Sequence, residues 1–366
     1  MTRTAVIGCG FGDEGKGLVT EYLCSKYSKP LVVRYSGGQQ AGHTVMKDGI
    51  RHVFANFGSG TLSGASTYWA STATIDPIGI INEFETLKNK AINPILFIDG
   101  KCPVTTPYEV RHNQNTEELN QHGSCGVGVG QTWEREECFY SLQAEDLLYP
   151  SVMNIKLKII REWYGKYVYE NRFRECVQEL NKLTDNIQII HKMPDFYDDI
   201  IFESSQGLLL DQNIGFFPHV TRSNVGIRNL SDKIEEIYIV TRAYQTRHGN
   251  GPMTNEDLHH NIKEDPNETN VDHPYQGKFR RTLLDLDLLQ YAMIKDGCVR
   301  SRFPLSLVIT CLDHVENDWR FTHKGKVIFS HSEDVFIDKI ANILDVSEVL
   351  VSHSPYSENI KKWKIS

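Results

Sequence analysis

Six short runs of β-branched and apolar residues punctuate the chain: TAVIGC at 4–9, PLVVRYS at 30–36, PILFIDG at 94–100, DIIFESS at 199–205, IYIVTRAY at 237–244 and LSLVITCLD at 305–313. None alternates cleanly between apolar and polar positions, so each predicts a strand covered on both faces. A helical period appears between them in LVTEYLCSKY (18–27), GIINEFETLKNK (79–90), LKIIREWYGKYVYENRFRECVQELNKL (157–183) and TLLDLDLLQYAMIKDG (282–297). Buried strands separated by helices predict an α/β fold with a mostly parallel, doubly wound sheet. Residues 248–277 are rich in Asn, Asp, His, Gly and Pro and predict a long surface connection. In a compact domain such a connection is more often functional than idle. There is no internal repeat or low-complexity tract, and residues 1–366 are read as a single domain.

Composition narrows the function classes. A formal charge of −8 argues against a general nucleic-acid binder, because no surplus of Lys and Arg is present to neutralise a phosphate backbone. The cysteines form no CxxC pair, which predicts free thiols. No run of 18 apolar residues occurs, so no membrane span is predicted, and the expectation is a soluble cytoplasmic protein.

The chemistry begins at residues 8–17, GCGFGDEGKG, placed after an apolar run and before a helical one. A phosphate-binding loop needs that context, since backbone N–H groups and a helix N-terminus must face the anion. Gly10, Gly15 and Lys16 keep the spacing of a P-loop, but Gly17 stands where such a loop carries the Ser or Thr that holds magnesium. Asp13 and Glu14 lie inside the loop, where a carboxylate beside a triphosphate is repelled unless a cation or proton sits between them. A glycine-rich surface turn would show the same letters. A second glycine loop, YSGGQQAGHT at 35–44, follows the next strand and carries His43.

Together GFGDEGKG and GGQQAGHT resemble the two signature loops of the adenylosuccinate synthetases, WGDEGKGK and GG-x-N-AGHT. Further segments match in order. GSCGVGVG (123–130) is similar to GTTGRGIG, FESSQGLLLDQNIGFFPHVTRSN (202–224) to FEGAQG…LLD…YPYVTSSN, and RAYQTRHGNGP (242–252) to KAYSTRVGAGP. GKFRRTLLDLD (277–287) resembles an arginine-rich amino-acid loop, TCLD (310–313) resembles TKLD, and VSHSP (351–355) resembles STGP. The chain is identified as a short, divergent member, with the phage-type 2-aminoadenylosuccinate synthetases as relatives.

The resemblance implies a P-loop-like adenylosuccinate-synthetase fold and a two-step ligation. GTP phosphorylates the 6-oxygen of a purine nucleotide such as IMP, and the amine of L-aspartate then displaces the phosphate. It implies Asp13 as base and Mg2+ ligand, the Gly42 carbonyl as a second Mg2+ ligand, and His43 as the group that meets the γ-phosphoryl oxygen. Gln206 offers a donor and an acceptor to a purine edge, although a strand-end amide bonded to backbone is an alternative. Gly12, Gly15, Lys16 and Gly17 are expected at the GTP phosphates, and Ser352 and Pro355 at the guanine. Asp313 suits guanine, whose N1–H and 2-amino group a carboxylate can accept together, but it could instead cap a helix. The nucleotide and amino-acid side is expected to use Gln40, Ser124, Cys125, Thr221, Gly249, Lys278 and Arg280. Arg247 is a supporting residue there, and Arg281 either grips a carboxylate or pairs on the surface.

Departures from the pattern cluster on that side. Lys278 replaces an arginine, Gln40 an asparagine and Gln276 a threonine, while Phe139 and Tyr140 stand where the family places an arginine from the partner of a homodimer. Arg135 is the expected substitute. Asp13 and Asp313 favour IMP and GTP over the phage-type reaction on dGMP, in which both carboxylates are commonly lost. A nucleotide-binding regulator without ligation is the reading from another class, and the joint presence of Asp13, His43 and Gln206 argues against it.

Overall fold

The computed structural model describes residues 2–365 apart from 121–122, 231–233, 267 and 273. Ten strands form its central sheet: β1 (Thr2–Gly8), β2 (Leu31–Arg34), β3 (Ser66–Trp69), β4 (Leu96–Asp99), β5 (Ile187–Ile190), β6 (Asp199–Gly207), β7 (Glu236–Arg242), β8 (Leu305–Thr310), β9 (Glu348–Val351) and β10 (Lys361–Trp363). Their spatial order is β10-β9-β8-β7-β1-β6-β2-β3-β4-β5. Every neighbouring pair is parallel except β9 with β10 at the edge. All six apolar runs are strands of this sheet, as the pattern predicts. The strands it misses are short. Ser66–Trp69, for example, offers only four residues, half of them polar, too few for a period to show.

Burial explains why the runs are apolar on both faces. Val6, Val32, Val240 and Val308 pack on one side with Val19 and Leu23 of the helix α1 (Lys16–Cys24). Ile7, Ile239, Leu307 and Ile309 pack on the other with Leu289 and Met293 of a helix at Leu286–Asp296. Each such side chain contributes about 1.5–3 kcal/mol relative to exposure. Between these two helices in the chain come α2 (Pro77–Asn89), α3 (Pro107–Asn120), α4 (Val129–Glu137), α5 (Pro150–Tyr164) and α6 (Asn171–Leu180), which makes Leu286–Asp296 α7. The long helix read at 157–183 is two helices, because Gly165 ends α5 in the left-handed conformation at φ 63°. α3 and α4 escaped the pattern because both are mostly polar.

A parallel sheet delivers the loops after its strands to one edge, where α/β folds bind ligands. Here those loops include both glycine loops, the SSQG end of β6, and the segments after β7, β8 and β9. The fit is tight where β6 passes the first glycine loop. Pairing of β1 with β6 shifts register between Val6 and Gly8, and Gly8 then pairs with Gly207. A Cβ on Gly207 would lie 2.1 Å from the Gly10 carbonyl oxygen and 2.5 Å from the Gly12 nitrogen. Both are backbone atoms and neither yields cheaply. Gly207→Ala is therefore expected to destabilise the fold by about 1–3 kcal/mol, the usual cost of overpacking. A thermal denaturation midpoint equal to that of the natural chain would contradict this close approach.

Candidate active site

A cavity of about 1350 Å³ opens over the strand ends. The first glycine loop forms its floor, with Gly12 (φ 94°), Asp13 (φ 61°) and Gly15 (φ 97°) in the left-handed region and α1 starting at Lys16. Glu14 also lines the cavity, but its carboxylate is engaged within the loop. Its buried carboxylate accepts from the Gly12 and Gly10 amides at 2.8 and 3.1 Å and pairs with Lys16 Nζ at 2.7 Å. The charge conflict expected of two acids in the loop is thus divided: Glu14 braces the turn and Asp13 alone of the two faces solvent space.

Gly17 lacks a hydroxyl for a packing reason. A Cβ there would lie 2.8 Å from His43 Cβ and 3.1 Å from Ser59 Oγ, so a Walker-type Ser or Thr would displace the second loop. The Asp13 carbonyl accepts from Arg242 Nε at 2.6 Å, and its carboxylate lies 3.4 Å from His248 Nε2. Burial raises the Asp13 pKa, with His248 and Arg242 opposing, which suits a carboxylate that must take up a proton. His248, which stands where the resembling pattern has valine, was not among the expected residues.

His43 is fixed by a group the sequence reading missed. Its Nδ1 lies 2.6 Å from Oε1 of fully buried Glu203, to which the Ser59 hydroxyl and the Ser59 amide, at 3.1 Å, also donate. The buried Arg34 guanidinium lies 3.6 Å from Glu203 Oε2. Burial alone would raise the Glu203 carboxyl, but His43, Arg34 and Ser59 outweigh it and bring it down to about 2. Burial lowers the His43 pKa against the pull of Glu203, and His43 Nε2 is buried without a hydrogen-bond partner among the described residues. The signal was present: Arg34 and Glu203 are opposite charges inside two runs read as buried strands, and they stand directly across from each other in the β2–β6 register.

Gln206, Gln40, Gly42, Ser124, Cys125, Thr221, Asp313 and Pro355 all line this cavity. Ser124 Oγ donates to Asn113 Oδ1 at 3.0 Å, and burial pushes the Cys125 thiol up to about 11. The Gln40 amide is buried with no partner on either atom among the described residues. Asp13 and Gly42 supply the hard oxygens proposed for a metal, and among the described residues no group of three or more His, Cys, Asp or Glu is arranged to hold one. The donor set therefore fits a cation that takes most of its ligands from phosphate and water, as magnesium does.

Other expectations need correction. Ser352 is fully buried behind the wall, donating to the Ser354 carbonyl at 2.8 Å, and Ser354 takes its place at the surface. Gly249, Lys278 and Arg280 line an adjoining hollow of about 670 Å³, which shares Glu117 and Asn250 with the main cavity. The Arg280 fork is engaged there by the Gly249 and Gly251 carbonyls and by Glu256 at 2.7 Å. Arg247 lines the main cavity instead, its guanidinium 4.3 Å from the Phe11 ring centre. Arg281 donates to the Lys263 carbonyl at 3.3 Å and lines neither hollow. Arg135 is fully buried, spending its donors on Glu109, Glu136 and the Val104 and Tyr140 carbonyls, so it reaches no site on a partner. The long connection at 248–277 does contribute, with Lys263–Pro266 and Glu268–Val271 on the cavity wall and Glu268 paired to Arg242 at 2.7 Å.

Because Glu203 joins His43, Ser59 and Arg34 in a buried cluster, Glu203→Gln is expected to cost about 3–5 kcal/mol, the range for breaking a buried ion pair from one side. Chemical denaturation measures this. A loss below 1 kcal/mol would mean that Arg34 is not balanced by Glu203.

The adenylosuccinate synthetase family model matches residues 5–364. Adenylosuccinate synthetases of Thermoanaerobacter sp. (strain X514) and Picrophilus torridus are 28% and 30% identical, covering 90% and 85% of this chain and 83% and 76% of their own lengths. Among solved structures, fully ligated adenylosuccinate synthetase from Plasmodium falciparum superposes with a TM-score of 0.77 at 17% identity, covering all of both chains. The cyanophage S-2L succinoaminodeoxyadenylate synthetase, bound to dGMP and dATP, gives 0.67 at 16%, covering 99% of this chain and 95% of its own. At those identities the structures speak for the fold, an α/β fold with a large, mostly parallel sheet. The family match over nearly the whole chain carries the rest: the protein belongs to the adenylosuccinate synthetase family of purine nucleotide ligases.

Proposed function

We propose that the chain joins L-aspartate to C6 of IMP at the expense of GTP, through a 6-phosphoryl intermediate. The observation that carries this reading is the meeting of Asp13, the free edge of His43, Gln206 and Lys16 in one cavity. Binding alone needs no such set. In the first step Asp13 accepts the proton from N1 as the 6-oxygen attacks the γ-phosphorus and GDP leaves. Gln206 reads the N1 and O6 edge. With its Nδ1–H directed to Glu203, a neutral His43 presents Nε2 as an acceptor. Uptake of a proton there makes it a donor to the charged phosphoryl oxygens. In the second step the amine of aspartate attacks C6 and phosphate departs. Asp13 and the Gly42 carbonyl would hold magnesium, which when bound supplies positive charge against the phosphoryl oxygens. Asp313 accepts from guanine N1–H and the 2-amino group, with Ser354 and Pro355 beside the base.

A homodimer is supported by α5, whose Val152, Ile155 and Ile159 lie on one exposed face, and by exposed Phe139 nearby in the chain. All eight cysteines are free, which fits a reducing, cytoplasmic setting, and among the described residues no helix is long and apolar enough to cross a membrane.

With IMP, L-aspartate, GTP and magnesium, the purified protein is expected to form adenylosuccinate with release of GDP, followed by ultraviolet absorbance. No product with IMP, dIMP, GMP or dGMP, despite nucleotide binding, would favour a regulator without ligation. Asp13→Asn is expected to lower kcat by about 10²–10⁴, as for a lost general base, and near-normal turnover would send the proton elsewhere. Asp313→Asn is expected to raise the KM for GTP at least tenfold while leaving that for IMP within about threefold, because an amide cannot accept from both guanine donors. Equal use of ATP and GTP by the natural chain would remove Asp313 as the guanine reader.

A further inference from the structure

We infer that Arg222 is the guanidinium that receives the 5′-phosphate of the purine nucleotide, so that the phosphate end of the site is completed from within one chain. This rests on the ligase reading only for the identity of the nucleotide. Arg222 directly follows Thr221, and both line the main cavity together with Ser124 and with Val129 and Gly130, the first residues of α4. Gly128 starts that helix without a side-chain cap, which leaves its first amides available to an anion, and a Cβ on Gly130 would meet nothing within 4 Å. The buried amide of Gln40, unpartnered among the described residues, lines the same cavity.

The charges here require a cation. Glu134 lines the cavity and Glu137 follows on the same helix, so a phosphate dianion arriving beside them would be repelled. Arg222 is placed between: its guanidinium lies 2.6 Å from Glu137 Oε2 and 4.0 Å from Glu134 Oε2. Its side chain is 42% exposed, so turning from these carboxylates to a ligand breaks no core packing. A guanidinium matches phosphate with two parallel N–H donors. Three other arginines line the cavity, and each is tied to its own protein partners: Arg242 to the Asp13 carbonyl and Glu268, Arg247 to the Pro252 and His219 carbonyls, and Arg51 to the Thr269 hydroxyl, while Arg135 is buried and Arg280 faces the adjoining hollow. The sequence carries the mark of this role, since VTRSN holds arginine where the resembling VTSSN holds serine.

Binding of IMP and of inosine, which lacks only the phosphate, is compared by calorimetry for the natural chain, Arg222→Ser and Arg222→Lys. The expected result is a loss of about 10- to 100-fold in IMP affinity for Arg222→Ser, the range for a charged hydrogen bond. Inosine affinity is expected to stay within twofold, and Arg222→Lys to recover part of the loss. IMP affinity within twofold of the natural chain, or equal losses for IMP and inosine, would overturn the inference, the second outcome marking a purely structural role. Because calorimetry needs no turnover, absent ligation with Arg222-dependent IMP binding would sink the ligase reading alone. Mixing Arg222→Ser with Asp13→Asn chains is expected to restore no activity. Restoration would show that Arg222 serves the partner's site instead.

Discussion

Glu203 is a carboxylate with no exposed surface, and the site depends on how its charge is met. Two charges taken out of water cost several kcal/mol each unless the geometry between them is close. Here the compensation comes from four directions: the imidazole of His43, the hydroxyl and amide of Ser59, and the guanidinium of Arg34 in the neighbouring strand. They come from three separate parts of the chain. The second glycine loop, the turn after the hairpin at His43–Phe54 and strands β2 and β6 are therefore held in one arrangement by a single side chain. With Nδ1 committed, Nε2 is the ring nitrogen of this cavity-lining residue left without a partner among the described residues.

The glycine loop repeats this logic with Glu14. An acid inside a phosphate-binding turn looks self-defeating in sequence, yet its carboxylate neutralises Lys16 and ties the Gly10 and Gly12 amides from below. Asp13, held at φ 61° by the same turn, approaches His248 instead. Adjacent carboxylates thus receive opposite surroundings: full pairing for Glu14, and for Asp13 burial that favours the protonated form. Separation of this kind is what the proposed role of Asp13 as a base requires.

The sheet was legible because its strands are buried on both faces, and six runs placed its centre correctly. The residues proposed for the first step were picked out through the glycine loops and through SSQG, since backbone turns and a helix start leave local marks in sequence. Tertiary burial leaves none. Ser124 and Ser352 look alike as polar residues in loop motifs, but Ser124 opens on the cavity and Ser352 is sealed behind it. Arg135 was the expected substitute because it lies a turn before Phe139 and Tyr140 in sequence, whereas Glu109 on α3 draws it fully inside. Lys278 and Arg280 fell in the adjoining hollow because a connection of 30 residues fixes neither its path nor its register by any period. Arg34 and Glu203 were written in plain sight as charges within buried runs, and only the strand pairing shows that they compensate each other.

The same contrast explains where this chain departs from the family pattern. Asp13, His43 and Gln206 sit against a buried network in which Gly17 and Gly207 leave no room for added atoms, so a substitution there disturbs several elements at once. Gln40, Cys125, Arg222 and Lys278 stand on loops at the cavity wall or in the adjoining hollow, and Arg222, 42% exposed, has room there for a longer, charged side chain. Exchanging serine for arginine at 222 brings a full positive charge at little packing cost, because Glu134 and Glu137 already balance it. A site built this way can keep its floor fixed while the residues proposed for the sugar-phosphate and the amino acid change. On the proposed function, substrate choice would be decided at the cavity wall and in the adjoining hollow, and reaction type at the buried floor.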